Sequence, residues 1–335
     1  MISGSILHVT GSAVLAFCLC ALVLWALLKT GIAWRLATDI PNERSLHTRP
    51  TPRVGGWGIV PVIAVFMAVM APSLWLTAAA FAMLAALSQI DDRRGLPVGV
   101  RFGAHIAAVA ALVAFYPAPV PSWALVVIGL LMVWLVNLYN FMDGSDGLAG
   151  GMALFGFGGY AIAALTSARP ELQLAVASAL AAGAAGGFLL FNFHPARIFL
   201  GDAGSIPLGF LAGALGYWGW RDGVWPVWFP ALIFSPFIVD ASVTLARRLL
   251  RGEKVWQAHR EHYYQRMVQM GCGHALTARI WYSFMAAGII LAIAARNLAP
   301  VQQWLTVVVW AAVLGAAGMY IDRRWRRYRS RLVQT

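Results

Sequence analysis

Four polar residues arrive at three-residue steps in the stretch Asn137-Leu-Tyr-Asn140-Phe-Met-Asp143-Gly-Ser-Asp146-Gly-Leu-Ala-Gly. They follow a long apolar run over 123–138, and glycines lie among them. Asn137 and Asn140 are one helical turn apart, so both side chains can face the same side. An amide in an apolar helix is costly unless it has a partner. Asp143 and Asp146 fall where glycines break the helix and restart it, which places Asp146 to cap the next helix. Oxygen donors of this kind suit a hard cation such as Mg²⁺ and the diphosphate that accompanies it.

Further acids stand at comparable places. Asp91-Asp92-Arg93-Arg94 ends another apolar run. Adjacent carboxylates repel each other unless a cation lies close. One of the pair is expected to act as metal partner or general base; the bland alternative is neutralisation by Arg93 and Arg94. Asp202 lies between glycines in Gly201-Asp-Ala-Gly204-Ser205-Ile-Pro207, where Ser205 reads as a cap and Pro207 as an early-turn residue. A helix N-terminus has free N–H groups for phosphate, and an Asp there can hold the accompanying cation.

The basic counterparts are Arg44, His47, Arg49 and Arg53 in a proline-rich loop, and His259-Arg-Glu-His262-Tyr-Tyr-Gln265-Arg266 in a longer one. The His259 and His262 spacing would suit a metal. However, no third Cys or His is close in sequence and the arginines disfavour a cation, so anion recognition of a diphosphate or sugar fits better. His105 and His8 read as structural.

These residues must be positioned by a membrane domain. The chain is 60% hydrophobic and only 11% charged, with a mean hydropathy of +0.71, which is the composition of a polytopic membrane protein. Apolar windows fall near 11–28, 57–72, 74–90, 102–117, 121–141, 147–166, 172–193, 204–220, 224–246, 276–295 and 301–321, or about eleven transmembrane helices in an all-α fold. The first window lacks a preceding basic segment, since Lys29 follows it, so it is expected to be a retained helix. Cys18 and Cys20 lie inside that window, and no Cys/His spacing suggests a disulfide or zinc site.

Charge predicts the orientation. With the N-terminus periplasmic, alternating connections leave only Arg169, Arg221 and Arg296 outside, and the C-terminus with its arginine-rich tail is cytoplasmic. The net charge of +12 is then explained by topology and anionic lipid rather than by nucleic acid. Only Glu171 and Asp222 among the acids fall outside. The chain thus reads as a single membrane domain over 1–335, with its active-site loops near 30–56, 89–101, 138–147, 192–205 and 247–279 on the cytoplasmic face.

In these pieces the chain resembles the polyprenyl-phosphate N-acetylaminosugar-1-phosphate transferases of glycosyltransferase family 4, the WecA-like and MraY-like enzymes. The matching residues are Pro41-Asn-x-Arg44-x-x-His47-x-x-Pro50-x-Pro52-Arg53-x-Gly55-Gly56, Asp91-Asp92-x-x-Gly95-Leu, Asn137-x-x-Asn140-Phe-x-Asp143-Gly-x-Asp146-Gly-Leu-Ala, and Asn192-x-x-Pro195-Ala followed by Gly201-Asp202-x-Gly204-Ser205. The resemblance implies that Asn140 and Asp202 bind Mg²⁺, with Mn²⁺ as an alternative ion. It implies that Asp91, with Asp92 beside it, deprotonates or positions the lipid phosphate. Asp143 and Asp146 would contact nucleotide or metal, Asn192 would line the same cleft, and His259 would match the first histidine of the loop motif. Substrate contacts are expected from Asn137, His262, Arg53 and His47 as well.

The implied reaction joins undecaprenyl phosphate to a UDP-N-acetylhexosamine at the bacterial inner membrane, releasing UMP. The loop around His259 resembles the subgroup that starts lipopolysaccharide O-antigen chains, and the resemblance is compatible with a homodimer. Transfer of phospho-MurNAc-pentapeptide is the alternative within the class. A lipid-linked sugar transporter is the rival outside it, and would place charges near the membrane midplane.

Overall fold

The computed structural model describes residues 2–41, 46–255, 257 and 259–332. The motif positions Asn42 and Arg44 lie outside the described residues. Fourteen helices are present among the described residues: α1 (Ile2–Lys29), α2 (Ile32–Leu36), α3 (Gly55–Met70), α4 (Trp75–Arg94), α5 (Val98–Phe115), α6 (Ser122–Phe141), α7 (Leu148–Leu165), α8 (Leu172–Asn192), α9 (Asp202–Arg221), α10 (Phe229–Ile233), α11 (Ser235–Leu250), α12 (Tyr263–Met267), α13 (Gly273–Ala295) and α14 (Pro300–Leu332). Each of the eleven apolar windows coincides with helix. Eight helices are long and apolar enough to cross a membrane, while α3, at 16 residues, is shorter.

The window 224–246 is not one continuous helix, as the sequence suggested. It divides at Phe234, between α10 and α11. Pro236 sits in the first turn of α11, and a proline lacks the N–H that would carry the preceding helix onward.

Helix α8 is the buried centre of the bundle, packed against α1 and α7, while α9 packs against α4 and α6. Its sequence is mostly alanine and glycine through 175–187. Small residues let membrane helices approach until backbones touch, and van der Waals contact then replaces the hydrophobic driving force that lipid removes. A Cβ added at Gly183 would collide with the Ala13 carbonyl of α1, and one at Gly187 with the Phe17 carbonyl.

The two ends of the bundle differ. At one end, Ser73 bonds to Gln173, the Tyr217 hydroxyl to the Tyr116 carbonyl, and Ser167 to the Val224 carbonyl. Arg296 joins the same end by donating to the Ala163 and Thr166 carbonyls. These plain contacts satisfy backbone groups where helices end. The other end carries the polar loops. There β1 (Thr38–Asp39) and β2 (Thr51–Pro52) form a two-stranded antiparallel ribbon with Asp39 opposite Thr51.

Gly183→Val should lower thermal stability in detergent by ~1–3 kcal/mol, the usual cost of forcing extra volume into a packed interior. A melting temperature equal to wild type would show that α1 and α8 have room to separate.

Candidate active site

The polar end is built by stitching loops to one another. The 197–201 segment lies against β2: the Phe199 N–H donates to the Pro52 carbonyl at 2.8 Å, and the Gly55 N–H to the Phe199 carbonyl at 2.9 Å. Arg53 forms a parallel bridge with Phe199 and is thereby fixed at the rim of the cleft. The His47 ring stands edge-on to Phe199 at 4.8 Å, and its Nε2 lies 3.7 Å from Asp39. Asn192, 4% exposed, joins two further segments. Its Oδ1 accepts from the Gly147 N–H at 3.0 Å and its Nδ2 donates to the Ile198 carbonyl at 2.9 Å.

A cavity of about 340 Å³ opens between these loops. It is lined by Asp39, His47 and Arg53 from the first loop, by Asn140, Asp143 and Asp146, by Asn192 and Asp202, and by Gln265 and His274. Segments far apart in the chain therefore meet on one polar surface. The Asn140 Oδ1 accepts from the Ser205 hydroxyl at 2.7 Å, which anchors the end of α6 to the first turn of α9.

Two expectations about helix starts are corrected here. Ser205 is not a cap, because α9 begins at Asp202 with Gly201, at φ 73°, in the cap position. Asp146 does not cap α7 either: Gly147 occupies that place in the left-handed region and no side chain caps it. The Asp146 Oδ2 instead accepts from the Ala196 N–H at 3.1 Å and lies 2.7 Å from His194 Nδ1. In both cases a tertiary partner outcompetes the local backbone for the side chain.

The carboxylates are poised for a cation. Burial, and the nearby Asp202, push the Asp143 carboxyl well above the usual range, even though a backbone bond from Gly201 favours its charged form. Asp202 is pushed up to about 6, chiefly by burial and then by Asp92, against the lowering effect of Arg53. Arg53 also lies 3.7 Å from Asp92. Two side-chain atoms at this site, Arg53 Nε and His47 Nε2, are buried without a hydrogen-bond partner among the described residues. Buried polar atoms without a hydrogen bond are uncommon, so these two leave room for a further polar partner in the cavity.

The donor set fits Mg²⁺ in character. Asn140, Asp143 and Asp202 supply only oxygen, and the two acids repel each other until a cation comes between them. Among the described residues, no three His, Cys, Asp or Glu side chains enclose a metal position. A Mg²⁺ that keeps waters and substrate phosphates needs only one or two carboxylates, so the arrangement is adequate for it.

Other predicted residues stand outside the cavity lining. Asp91 closes the α4–α5 turn: its Oδ1 accepts from the Leu96 N–H at 2.6 Å and its Oδ2 is 2.8 Å from Arg101. Its neighbour Asp92 is the member of the pair that reaches towards Arg53. Asn137 donates to the Val133 carbonyl one turn back, at 2.7 Å. His262 is buried beside Asp240 at 3.2 Å, and the His259 ring lies 4.8 Å from the His262 ring. Burial, with His262 and Arg248 adding repulsion, pushes His259 down to about 4, so it is neutral at pH 7.

Gln265 and His274 line the cleft without having been singled out in the sequence. His274 lies 2.8 Å from the Ser145 hydroxyl and stacks on His194 at 5.4 Å. Only the pairing of the 273–276 segment with the 145–147 turn brings it there, and no local pattern announces it.

Fold and cleft together define a multi-pass membrane protein whose polar loops converge on one cleft of mixed acidic and basic lining. The family model for glycosyl transferase family 4 matches residues 74–219, which run from the start of the Asp91-Asp92 helix almost to the end of α9. The chain is 30% identical to the decaprenyl-phosphate N-acetylglucosaminephosphotransferase of Mycobacterium tuberculosis (strain ATCC 25618 / H37Rv), over 83% of this chain and 81% of that relative. It is 28% identical to a probable undecaprenyl-phosphate N-acetylglucosaminyl 1-phosphate transferase of Bacillus subtilis (strain 168), over 82% and 80% of the two chains. A phospho-N-acetylmuramoyl-pentapeptide-transferase of Moorella thermoacetica is 36% identical over half of each chain. The protein belongs to glycosyl transferase family 4.

Since the folded chain holds the Asp202 proton to higher pH than the unfolded chain does, ionising it costs stability. That cost is absent in acid and grows as pH rises from the ordinary carboxylate range to about 6. Without added divalent cation, Asp202→Asn should melt above wild type at about pH 7 and level with it at about pH 4. A difference that does not change with pH would remove Asp202 as the buried charge.

Proposed function

We propose that the protein transfers an N-acetylhexosamine-1-phosphate from a UDP-sugar to undecaprenyl phosphate, giving undecaprenyl-diphosphate-sugar and UMP. The observation that carries this reading is the cleft itself: Asn140, Asp143 and Asp202 face the unpartnered Arg53 Nε and His47 Nε2 across one cavity at the end of an apolar bundle. Such a cleft accepts a diphosphate with its cation, while the bundle keeps a polyprenyl chain in the bilayer. Membership of a family whose relatives act on polyprenyl phosphates supports the same assignment. The charge pattern supports a bacterial inner-membrane location, with the N-terminus periplasmic and the polar loops cytoplasmic.

An oxygen of the lipid phosphate attacks the β-phosphorus of the UDP-sugar. The new P–O bond joins sugar phosphate to lipid phosphate, and the bond to the UMP oxygen breaks. Such a transfer needs alignment and charge stabilisation more than covalent help. Arg53 and His47 orient the donor diphosphate against the repulsion of the incoming anion. Asp92, beside Arg53, is better placed than Asp91 to position the acceptor phosphate or take its proton, because Asp91 is occupied by Arg101 and Leu96. Asn140 and Asp202 would hold Mg²⁺, with Asp143 and Asp146 towards the nucleotide. The ion would neutralise the diphosphate and stabilise the departing UMP.

The sugar is of the N-acetylhexosamine type, and the product would start an O-antigen or related surface polysaccharide. The half-length likeness to a phospho-N-acetylmuramoyl-pentapeptide-transferase keeps that donor as the second reading.

Purified protein, undecaprenyl phosphate, Mg²⁺ and a panel of UDP-sugars, including UDP-MurNAc-pentapeptide, should release UMP with an N-acetylhexosamine donor. Asp202→Ala should abolish the release while the protein still inserts and melts cooperatively. Silence of the wild type with every donor would return the transporter reading. Asn140→Ala removes an amide oxygen and no charge, so half-maximal activity should need at least ~10-fold more Mg²⁺, the loss of one modest ligand contact. An unchanged metal titration would take Asn140 out of the coordination shell.

A further inference from the structure

The carboxylate of Asp240 on α11 is completely buried, lies outside the family-matched stretch, and faces no lysine or arginine within ion-pair distance among the described residues. It is held by donors alone. Oδ1 accepts from the Tyr263 N–H at 2.8 Å and lies 3.2 Å from both the Thr244 hydroxyl and His262 Nδ1. Oδ2 accepts from the Tyr264 N–H at 3.1 Å. The acceptor thus meets the free N–H groups of α12 at its first turn, where a negative charge is stabilised. A buried carboxylate held by two successive backbone N–H groups serves geometry, since it fixes the path of the chain at Tyr263 and Tyr264.

What Asp240 positions is legible in the next two residues. The Tyr264 ring is fully buried, its hydroxyl donates to the Phe141 carbonyl at 3.1 Å, and it lies against Gly144. It therefore supports from behind the turn that carries Asp143. Gln265 lines the cleft, and its Oε1 is taken by the His262 N–H at 3.2 Å. With that oxygen engaged and one Nε2 hydrogen turned to the Tyr264 hydroxyl, the second Nε2 hydrogen remains for the cavity. Asp322 of α14 secures the other side of the segment through Arg266 at 2.8 Å and Tyr263 at 3.3 Å.

We propose that Asp240 is a positioning residue which, through the buried His262–Tyr264 backbone, fixes Gln265 as a neutral amide donor to the oxygen atoms of the sugar nucleotide. The inference rests on the proposed transferase reading for the identity of that ligand, but the positioning itself does not. His262 also changes role: its ring packs against Asp240 and Tyr264 and orders the segment instead of touching the donor. Side-chain identity at position 265 then selects among donors, because an amide and a charged group would favour different sugar substituents.

Two readouts test this on the full-length protein in detergent. Hydrogen exchange at the Tyr263 and Tyr264 amides should accelerate at least ~10-fold in Asp240→Asn, while the α7 and α8 amides exchange as in wild type. Unchanged exchange at Tyr263 and Tyr264 overturns the assignment, whatever the enzyme's activity. In the UMP-release assay, Gln265→Ala and Asp240→Asn should each raise the donor KM about 5–10-fold, with less than about a twofold change in the lipid KM. The double variant should be no worse than the poorer single, since both act through one contact. Additive losses, or equal losses for both substrates, would make Asp240 merely structural. If Asp240→Asn does not fold, Gln265→Ala and Tyr264→Phe still decide, and a wild-type donor KM in Gln265→Ala overturns the proposal. Absence of wild-type turnover would instead count against the transferase reading, and the exchange result would still judge Asp240.

Discussion

Asn192 makes the two hydrogen bonds on which the cleft depends. By accepting from Gly147 and donating to Ile198, it ties the start of α7 to the segment that leads into α9. Removing it would leave a buried donor and a buried acceptor unpaired, at about 1–3 kcal/mol each. The constraint extends outward from there. Ile198 and Phe199 continue into the pairing with Pro52 and Gly55, which holds Arg53 and His47 over the cavity. Gly147 follows the turn that carries Asp143 and Asp146. One buried amide therefore sets the distance between the acid wall and the basic rim.

That distance matters for the proposed reaction, in which the cleft would take two anions together. Burial raises the proton affinity of both Asp143 and Asp202, with Asp202 adding to the rise at Asp143 and Asp92 to that at Asp202. Opposite them, Arg53 Nε and His47 Nε2 are buried without a hydrogen bond among the described residues, although the side chains lie 3.7 Å from Asp92 and Asp39. The ligand of the proposed function, a diphosphate with a divalent cation, would relieve both at once, whereas either ion alone would relieve one.

The family-matched stretch, 74–219, contains the acid wall, while the basic rim and the α12 segment lie on either side of it. This division suits the proposed reaction. Asp92, Asn140 and Asp202 take fixed places on α4, α6 and α9. The loops on either side can change length and composition without disturbing the bundle, since they run over its polar end.

Much of this was determined by sequence alone. Apolar runs demand helices in a bilayer, so helix lies in each of the eleven windows, though 224–246 is broken at Phe234, and polar residues gather where helices end. That confinement already assigned Asn140, Asp143, Asp202, Arg53 and His47 to one face. Local rules failed where a distant partner competed. Asp146 and Ser205 read as caps, but one bonds to Ala196 and the other to Asn140. The resemblance pointed to Asp91, whereas Arg101 and Leu96 occupy Asp91 and it is Asp92 that reaches towards Arg53. His259 and His262 read as cleft residues, whereas Gln265 and His274 line it. The reason is common to all these cases: hydropathy is a property of each segment by itself, while a side chain's partner depends on which other segment lies opposite it.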